Sequence, residues 1–240
     1  MGQLIRVLRS LVFQIGFVTA TVIYGLLCLL VLPLLTGRSR FAFAIGLNRF
    51  VLLWFRITCG VKYEIIGREH LLEHETGVLV CNHQSAWETF YLQILVFPLS
   101  TVLKKELLRI PVFGWALALI RPIAIDRSLG ASALKQVVRQ GKERIQEGFW
   151  VLIFPEGTRL NYGERKKFSK TGAFLAVESG APIIPIVHNA GACWPARGFV
   201  KHGGTIRVEI GPPMDTRDQS VQAVYDYTSS WMEERLAQQQ

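Results

Sequence analysis

The chain has 240 residues, which is enough for one domain with a full core and a further appendage. Half of the residues are apolar and the mean hydropathy is positive, which is high for a purely soluble protein. The net charge of +9 favours anionic lipid headgroups, an acidic protein or a phosphorylated substrate as partners. A nucleic acid is not expected, because the sequence has no recognition-helix pattern, zinc spacing or interleaving of aromatic and basic residues.

The first predicted element is a long apolar segment. No charged residue occurs between positions 10 and 37, and residues 11–35 are nearly all apolar. Roughly 20 apolar residues can cross the hydrocarbon layer of a membrane, whereas the apolar core of a signal peptide is usually only about 7–15 residues long. The segment therefore predicts a retained membrane helix, and a signal peptide is the alternative that its length disfavours.

A second apolar stretch, residues 41–61, is interrupted by one asparagine and two arginines and predicts an interfacial helix. Arginines flank the first segment on both sides: Arg6, Arg9, Arg38 and Arg40. The positive-inside rule places both flanks on the cytoplasmic side, which one full span cannot satisfy. A helical hairpin that dips into one leaflet and breaks near Pro33 or Gly37 satisfies it, and a single tilted span is the alternative.

The cysteines predict no covalent or metal-based framework. They are scattered in apolar contexts, without the paired spacing of a disulfide scaffold or a zinc site. They are interpreted as reduced core residues of a domain that faces the cytoplasm, and they are Cys28, Cys59, Cys81 and Cys193.

From residue 61 onward, strand-like and helical patterns alternate, which is typical of an α/β domain. Strands are predicted at 61–66, 77–81, 150–154, 183–187 and 206–210, with shorter apolar runs at 101–104 and 123–125. Helices are predicted at 87–97, 131–147 and 171–179, and from 221 onward. The predicted fold is an α/β domain over residues 62–240, with a mixed sheet and flanking helices, preceded by a membrane-embedded helical hairpin over residues 1–61.

His83 follows an apolar strand in a polar turn, where an α/β sheet usually presents functional groups. Residues five positions apart do not share a helix face, but His83 and Glu88 can meet if His83 lies in the turn and Ser85 caps the helix. Glu88 could then orient His83 as a general base. The alternative is a capping box, in which Glu88 accepts a backbone N–H instead of binding the imidazole.

A second polar string, Phe-Pro-Glu-Gly-Thr-Arg, follows an apolar strand and occupies residues 154–159. Gly157 permits a tight turn, and the guanidinium group of Arg159 matches a phosphate with its bidentate fork. A structural salt bridge of Arg159 is an alternative that the chemistry of the residue leaves open.

With these two motifs the chain resembles the 1-acylglycerol-3-phosphate acyltransferases. That family carries the motifs N-H-x-x-x-x-D and F-P-E-G-T-R. In this chain Glu88 occupies the position where the first motif usually has Asp. The resemblance implies that His83 is the base and that Glu88 orients it as a tolerated variant. It also implies that Arg159 binds the phosphate of the acceptor and that Glu156 shapes the acceptor site. Gly157 and Thr158 complete the predicted substrate-binding residues of this motif.

Two further segments resemble motifs of the same family. Residues 121–128 contain Ile-Asp-Arg, and by resemblance Arg127 is associated with acceptor binding, although the segment alone indicates a strand that ends in an ion pair. Residues 181–186 match a V-P-I-x-P segment, which implies a wall of the acyl or acceptor pocket. Among the lysines, Lys105 and Lys170 are predicted to help hold a phosphate or attract an acidic donor.

The resemblance implies direct acyl transfer at the inner (cytoplasmic) membrane, with the catalytic domain facing the cytoplasm. The 2-hydroxyl of lysophosphatidic acid loses its proton to His83 and attacks the thioester of acyl-CoA or acyl-ACP, which gives phosphatidic acid for phospholipid synthesis. The expected partners are membrane lipid and acyl-CoA or acyl carrier protein. No metal or bound cofactor is expected, since no H-E-x-x-H or similar spacing occurs. The remaining histidines, His70, His74, His188 and His202, are interpreted as structural.

Two alternatives remain open at the level of the sequence. The chain could acylate another lysolipid, such as lyso-ornithine lipid, in which case Arg159 would be less selective for a phosphate. The departure at Glu88 could instead indicate a non-catalytic lipid-binding protein.

Overall fold

The computed structural model of the chain describes residues 2–126 and 130–239. Within these residues one sheet is formed by β1 (Val61–Ile66), β2 (Val78–Cys81), β3 (Leu99–Lys104), β4 (Ile123–Ile125), β5 (Trp150–Ile153), β6 (Ile183–His188) and β7 (Gly204–Ile210). The strand order is β1-β7-β6-β2-β5-β3-β4, and every neighbouring pair is parallel except β6 and β7.

The helices are α1 (Gly2–Val31), α2 (Gly37–Ala44), α3 (Gly46–Cys59), α4 (Glu69–Leu72), α5 (Trp87–Leu95), α6 (Phe113–Ala118), α7 (Ala131–Gln146), α8 (Thr171–Ser179), α9 (Ala190–Cys193) and α10 (Val221–Gln238). Two short 3₁₀ helices, Leu32–Leu34 and Lys105–Arg109, connect some of them.

The central strands β2 and β5 are buried along their whole length, which explains their continuous apolar sequences. Their side chains alternate between two apolar layers, so that Leu79 and Leu152 face one layer while Val80 and Ile153 face the other. Helices α1, α3, α5 and α9 cover the first layer, and α7, α8 and α10 cover the second. The predicted α/β fold with a mixed sheet and flanking helices is therefore confirmed.

Helices α1 and α3 form an antiparallel hairpin. The indole N–H of Trp54 donates to the carbonyl of Phe13 (3.2 Å), while nearer the turn the hydroxyl of Tyr24 donates to the carbonyl of Phe43. The chain reverses after the 3₁₀ helix Leu32–Leu34, which agrees with the predicted break near Pro33 or Gly37.

Arg40 stabilises this reversal. Its Nε donates to the carbonyl oxygens of Leu32 (3.1 Å) and Leu35 (2.9 Å) at the end of the 3₁₀ helix, where the carbonyl of Leu32 also accepts the N–H of Leu35 (3.2 Å). By length and composition alone, Gly2–Leu34 and Gly37–Cys59 are apolar enough to cross a membrane, with mean hydropathies of 2.5 and 1.4.

Several predicted boundaries differ from the structure. The helix predicted at 41–61 is two helices, α2 and α3, which meet at Ile45. Helix α3 ends because Gly60 adopts a left-handed backbone (φ 72°), which glycine tolerates without a Cβ clash. Helix α5 ends at Leu95 rather than Phe97, since the residue before a proline is disfavoured in a helix and Pro98 follows.

The hairpin shares its core with the sheet. Phe13 of α1 is fully buried, with its ring centroid 5.0 Å from that of Phe55 and 4.8 Å from that of Trp194. The same apolar cluster contains Leu79 and Leu152 of the central strands. The domain boundary predicted at residue 61 stays a prediction, and residues on both sides of it contribute to this cluster.

Candidate active site

The two polar motifs lie at one edge of the sheet because β2 and β5 are parallel neighbours. His83 follows β2 and Phe154 follows β5, and their rings stack with centroids 4.0 Å apart. The loop after β5 also holds the backbone of His83, since the carboxylate of Glu156 accepts its N–H (2.8 Å) and the N–H of Leu160 donates to its carbonyl (2.8 Å). The structure thus brings together residues that are about seventy positions apart in the sequence.

The carboxylate of Glu88 is fully buried and one of its oxygens, Oε1, serves three donors. It lies 2.7 Å from Nδ1 of His83, and it accepts the backbone N–H groups of Gln84 (3.1 Å) and Ser85 (2.9 Å). The two interpretations that the sequence offered for Glu88, an orienting carboxylate and a backbone cap, therefore describe the same oxygen.

Helix α5 begins one residue later than a cap at Ser85 implies, but Ser85 still supplies the capping bonds, since Glu88 also accepts its N–H (2.9 Å). Ala86 occupies the cap position of α5 and makes no side-chain bond, while the hydroxyl of Ser85 accepts the N–H of Trp87 (3.1 Å). The extra residue lets the turn bring the imidazole of His83 back over the start of the helix.

This geometry selects the tautomer of His83. Because a carboxylate only accepts, Nδ1 carries the hydrogen and Nε2 keeps the lone pair that a general base requires. Burial raises the pKa of the Glu88 carboxyl, but the His188 and His83 imidazoles and the N–H of Ser85 outweigh burial and hold the pKa below its usual value. An ionised Glu88 can stabilise the imidazolium that forms when His83 accepts a proton.

His188, interpreted as structural from the sequence, lies directly behind this pair at the end of β6. Its Nδ1 accepts the N–H of Ala190 (3.1 Å), so Nε2 carries the hydrogen and donates to the carbonyl of Asn82 (2.9 Å). Burial lowers the pKa of His188, which favours the neutral ring. The side-chain amide of Asn82 exchanges two further bonds with the backbone of His188, so this pair ties β2 to β6 beneath the turn.

A cavity of about 480 Å³ opens beside the imidazole of His83. Gly157 and Thr158 of the second motif line it together with three exposed cationic residues, Lys104, Arg159 and Arg197. The remaining wall is largely apolar and comes from α1, α3, α5, α6 and β3, with residues such as Leu47, Phe90, Leu103, Phe113 and Leu117. A base, a cationic side and an apolar wall therefore meet in one space.

The other predicted substrate-binding residues are placed differently. Lys105 is exposed beside the site, but its neighbour Lys104 is the lysine that lines the cavity. Lys170 lies away from the cavity, with its amine bonded to Gln222 and 5.4 Å from the ring centroid of Tyr225. Arg127 lies outside the described residues.

Glu156 does not line this cavity. It lines a separate cavity of about 370 Å³ on the side of α10, and its carboxylate supports the backbone of His83 from there. Arg197 was missed by sequence reasoning, because it lies in a turn without any other chemistry-bearing residue and the fold alone brings it to the cavity. Among the described residues, no group of three His, Cys, Asp or Glu side chains has the arrangement of a metal site.

Replacing Glu88 separates its two roles. Glu88→Gln retains an oxygen that can accept the three N–H groups but loses the negative charge, so we expect the protein to fold and kcat to fall by about 10²–10⁴-fold. Glu88→Asp keeps the charge and should retain much more activity than the Gln variant. The measurement is steady-state kinetics with thermal unfolding of each variant, and wild-type kcat in Glu88→Gln would reduce Glu88 to a backbone cap.

Glu156 should make stability depend on pH. Burial raises its pKa from 4.5 to about 8, so between these values the folded protein holds a proton that the unfolded chain has released. The contribution of Glu156 to the free energy of unfolding therefore decreases as the pH rises through this range. Glu156→Gln can still accept the N–H of His83, and we expect it to gain stability relative to wild type as the pH increases. Thermal unfolding from about pH 5 to pH 8 checks this, and parallel curves would contradict it.

The chain is similar to proteins of known family. Residues 62–189 match the family model described as Acyltransferase. The chain is 42% identical to the 1-acyl-sn-glycerol-3-phosphate acyltransferase of Pseudomonas aeruginosa over 98% of this chain and 92% of that protein. It is 31% identical to the protein of that name from Limnanthes alba, over 90% of this chain and 75% of that protein.

The fold is also similar to a solved structure. The crystal structure of the 1-acyl-sn-glycerophosphate (LPA) acyltransferase PlsC from Thermotoga maritima covers 99% of this chain and 97% of its own, with a TM-score of 0.81. The sequence identity is 21%, so this likeness bears on the fold alone. On the family match and on the identity to its curated relatives, the chain belongs to the acyltransferase family.

Proposed function

We propose that this protein transfers a fatty acyl group from an acyl thioester to the 2-hydroxyl of 1-acylglycerol 3-phosphate at a membrane surface and so forms phosphatidic acid. The observation that carries the proposal is the cavity beside His83. It offers an oriented base, exposed cationic side chains and a long apolar wall, and each suits a different part of a phosphorylated, chain-bearing alcohol.

The chemistry follows from the orientation of the imidazole. Nε2 of His83 removes the proton of the 2-hydroxyl as its oxygen attacks the carbonyl carbon of the thioester. The tetrahedral oxyanion collapses, the C–S bond breaks, and the leaving thiolate takes the proton back from the imidazolium. Glu88 stabilises the imidazolium while it exists, so the base is regenerated within one cycle and no covalent enzyme intermediate forms.

The cationic side of the cavity supports a phosphorylated acceptor. Arg159 and Arg197 are both exposed, and neither forms a salt bridge to a carboxylate of residues 2–126 or 130–239. Two guanidinium groups without such a partner provide bidentate donors for phosphate oxygens, and Lys104 adds a third positive charge.

The N-terminal helices support action at a membrane. Apolar side chains along α1 remain exposed, for example Leu4 (65% exposed) and Leu30 (70% exposed). Such a surface is costly in water and suits the hydrocarbon layer, and the net positive charge suits an anionic leaflet. We place the catalytic domain on the cytoplasmic side of the inner membrane, where acyl-CoA and acyl carrier protein are found, and either can serve as donor.

Product formation from defined substrates tests the proposal. Membranes that contain the protein are incubated with 1-acylglycerol 3-phosphate and labelled acyl-CoA or acyl-ACP, beside membranes with equal amounts of His83→Ala. We expect phosphatidic acid from the wild type and at least a 10²-fold lower rate from the variant, since the base is removed. Equal product from both would exclude His83 as the base, and no product from either would refute the proposed acceptor. Product only from lyso-ornithine lipid would point to that acceptor instead.

Arg159 and Arg197 should affect the reaction only of acceptors that carry a phosphate. We expect Arg159→Ala and Arg197→Ala each to lower kcat/KM for 1-acylglycerol 3-phosphate by roughly 10- to 100-fold, because each loses charge-assisted hydrogen bonds. A phosphate-free 1-acylglycerol should be affected little. Arg139→Ala, on the exposed face of α7, is the matched control and should behave as wild type. Equal losses with both acceptors would show that the arginines do not bind the phosphate.

A further inference from the structure

The apolar wall of the cavity beside His83 contains six hydroxyl or amide side chains on helices and strands: Thr21, Tyr24, Asn48, Thr89, Gln93 and Thr101. Three of them bond to backbone carbonyls of their own hairpin or helix. Thr21 donates to Phe17, Tyr24 to Phe43, and Thr89 to Ala86. Their hydrogen-bonding capacity as donors is used within the fold, so they need no ligand.

Of the other three, Asn48 bonds to Gln93, while Gln93 and Thr101 each retain an unused donor. Nδ2 of Asn48 donates to Oε1 of Gln93 (2.9 Å), which fixes the orientation of the Gln93 amide and leaves its Nε2 as a donor. This Nε2 has no hydrogen-bond partner in the part of the chain that the structure describes, and the side chain of Gln93 is only partly buried. The hydroxyl of Thr101 is buried and is also without a partner among the described residues. A buried polar group without a partner is costly, so the hydroxyl of Thr101 indicates that a ligand supplies an acceptor. The amide of Gln93 offers a second donor in the same cavity.

The sheet side of the cavity places Thr101 at a defined depth below the base. Thr101 is the register partner of Leu152, and Phe154, which stacks on His83, lies two residues further along the same strand direction. A strand rises about 3.3 Å per residue, so Thr101 lies roughly 7 Å below the level of Phe154. Its neighbours on the same face, Leu99 and Leu103, are apolar, which makes the hydroxyl an isolated polar group on this wall.

On the helix side of the cavity, Gln93 lies at a similar depth below the base. Helix α5 begins at the carboxyl edge of the sheet and runs back along it, since it connects β2 to the parallel strand β3. Gln93 follows Glu88 by five residues, and a rise of 1.5 Å per residue places it roughly 7 Å further from the edge. The two unused donors therefore lie on two walls of one cavity at about the same distance from the base.

We propose that Thr101 and Gln93 form a subsite for the ester carbonyl of the acceptor chain. The inference rests on the proposed function. In 1-acylglycerol 3-phosphate this carbonyl oxygen lies five covalent bonds from the 2-oxygen, or roughly 5 Å when the chain is extended and the ester keeps its carbonyl oxygen cis to the glycerol carbon. A hydrogen bond of about 2.9 Å spans the remaining distance. With the 2-hydroxyl at His83 and the phosphate at the arginines, the carbonyl reaches the depth of the two donors. Asn48 positions the amide of Gln93 and does not itself touch the ligand.

The test compares acceptors that differ only in this carbonyl. Wild type, Thr101→Val and Gln93→Leu are assayed with 1-acyl and 1-O-alkyl glycerol 3-phosphate of equal chain length and with one plain acyl donor. We expect wild type to prefer the acyl acceptor in kcat/KM. We expect Thr101→Val to reduce this preference about 3- to 10-fold, because one neutral hydrogen bond is lost. Gln93→Leu should reduce it in the same direction.

Thr21→Val is the matched control, because it removes a hydroxyl from the same cavity that already bonds to Phe17, and its acyl-to-alkyl ratio should equal that of wild type. Thr101→Val keeps the shape of the side chain and removes an unpartnered buried hydroxyl, so its thermal unfolding midpoint should not fall. The ratio is unaffected by a general loss of folded protein.

An active wild type that does not distinguish the two acceptors, or a ratio unchanged in Thr101→Val and Gln93→Leu, overturns the subsite. No product from either acceptor with the wild type refutes the proposed function instead.

Discussion

One oxygen atom, Oε1 of Glu88, holds the site together. A buried carboxylate is costly unless it is hydrogen-bonded, and here the imidazole of His83 and two backbone N–H groups all bond to Oε1, while Oε2 has no hydrogen-bond partner among the described residues. The oxygen therefore fixes the turn after β2, the start of α5 and the tautomer of the base together. Helix α5 then carries a wall of the cavity, so the position of that wall also depends on this oxygen.

The second constraint is the adjacency of β2 and β5. Parallel neighbours present their carboxyl ends at one edge, which brings the loop after β5 against His83. Glu156 accepts the N–H of His83, Leu160 donates to its carbonyl, and the ring of Phe154 stacks on the imidazole. The base is thus held by its side chain from one motif and by its backbone from the other, which restricts its freedom before any substrate binds.

Local patterns in the sequence were sufficient to predict strands, helices and the break in the N-terminal hairpin. Continuous apolar runs identify β2 and β5, helical spacing identifies α7, and the break in the hairpin follows from Pro33 and Gly37. The sequence offered the pairing of Glu88 with His83 and a backbone cap as alternatives. That one oxygen does both could not be predicted, because spacing does not show how many donors reach one oxygen.

Residues brought together by the tertiary fold were less accessible to sequence reasoning. Arg197 reaches the cavity only because β6, α9 and the following turn fold over the edge of the sheet. Lys104 and Lys105 are adjacent in the sequence, and the end of β3 decides which of them lines the cavity. Lys170 carries the same charge as its neighbours, but contacts with α10 orient it away from the site.

Helix α1 contributes Thr21, Tyr24 and Gly25 to the cavity on one face, while Ile23 and Leu30 are exposed on the opposite face. A single helix thickness of about 10 Å therefore separates a chain in the cavity from the surroundings of the protein. With the outer face in lipid, a substrate chain and the bilayer contact opposite sides of the same helix. Transfer of the substrate chain from the bilayer to the enzyme then exchanges one apolar medium for another, so the hydrophobic free energy changes little. Polar contacts therefore determine which lipid the enzyme retains.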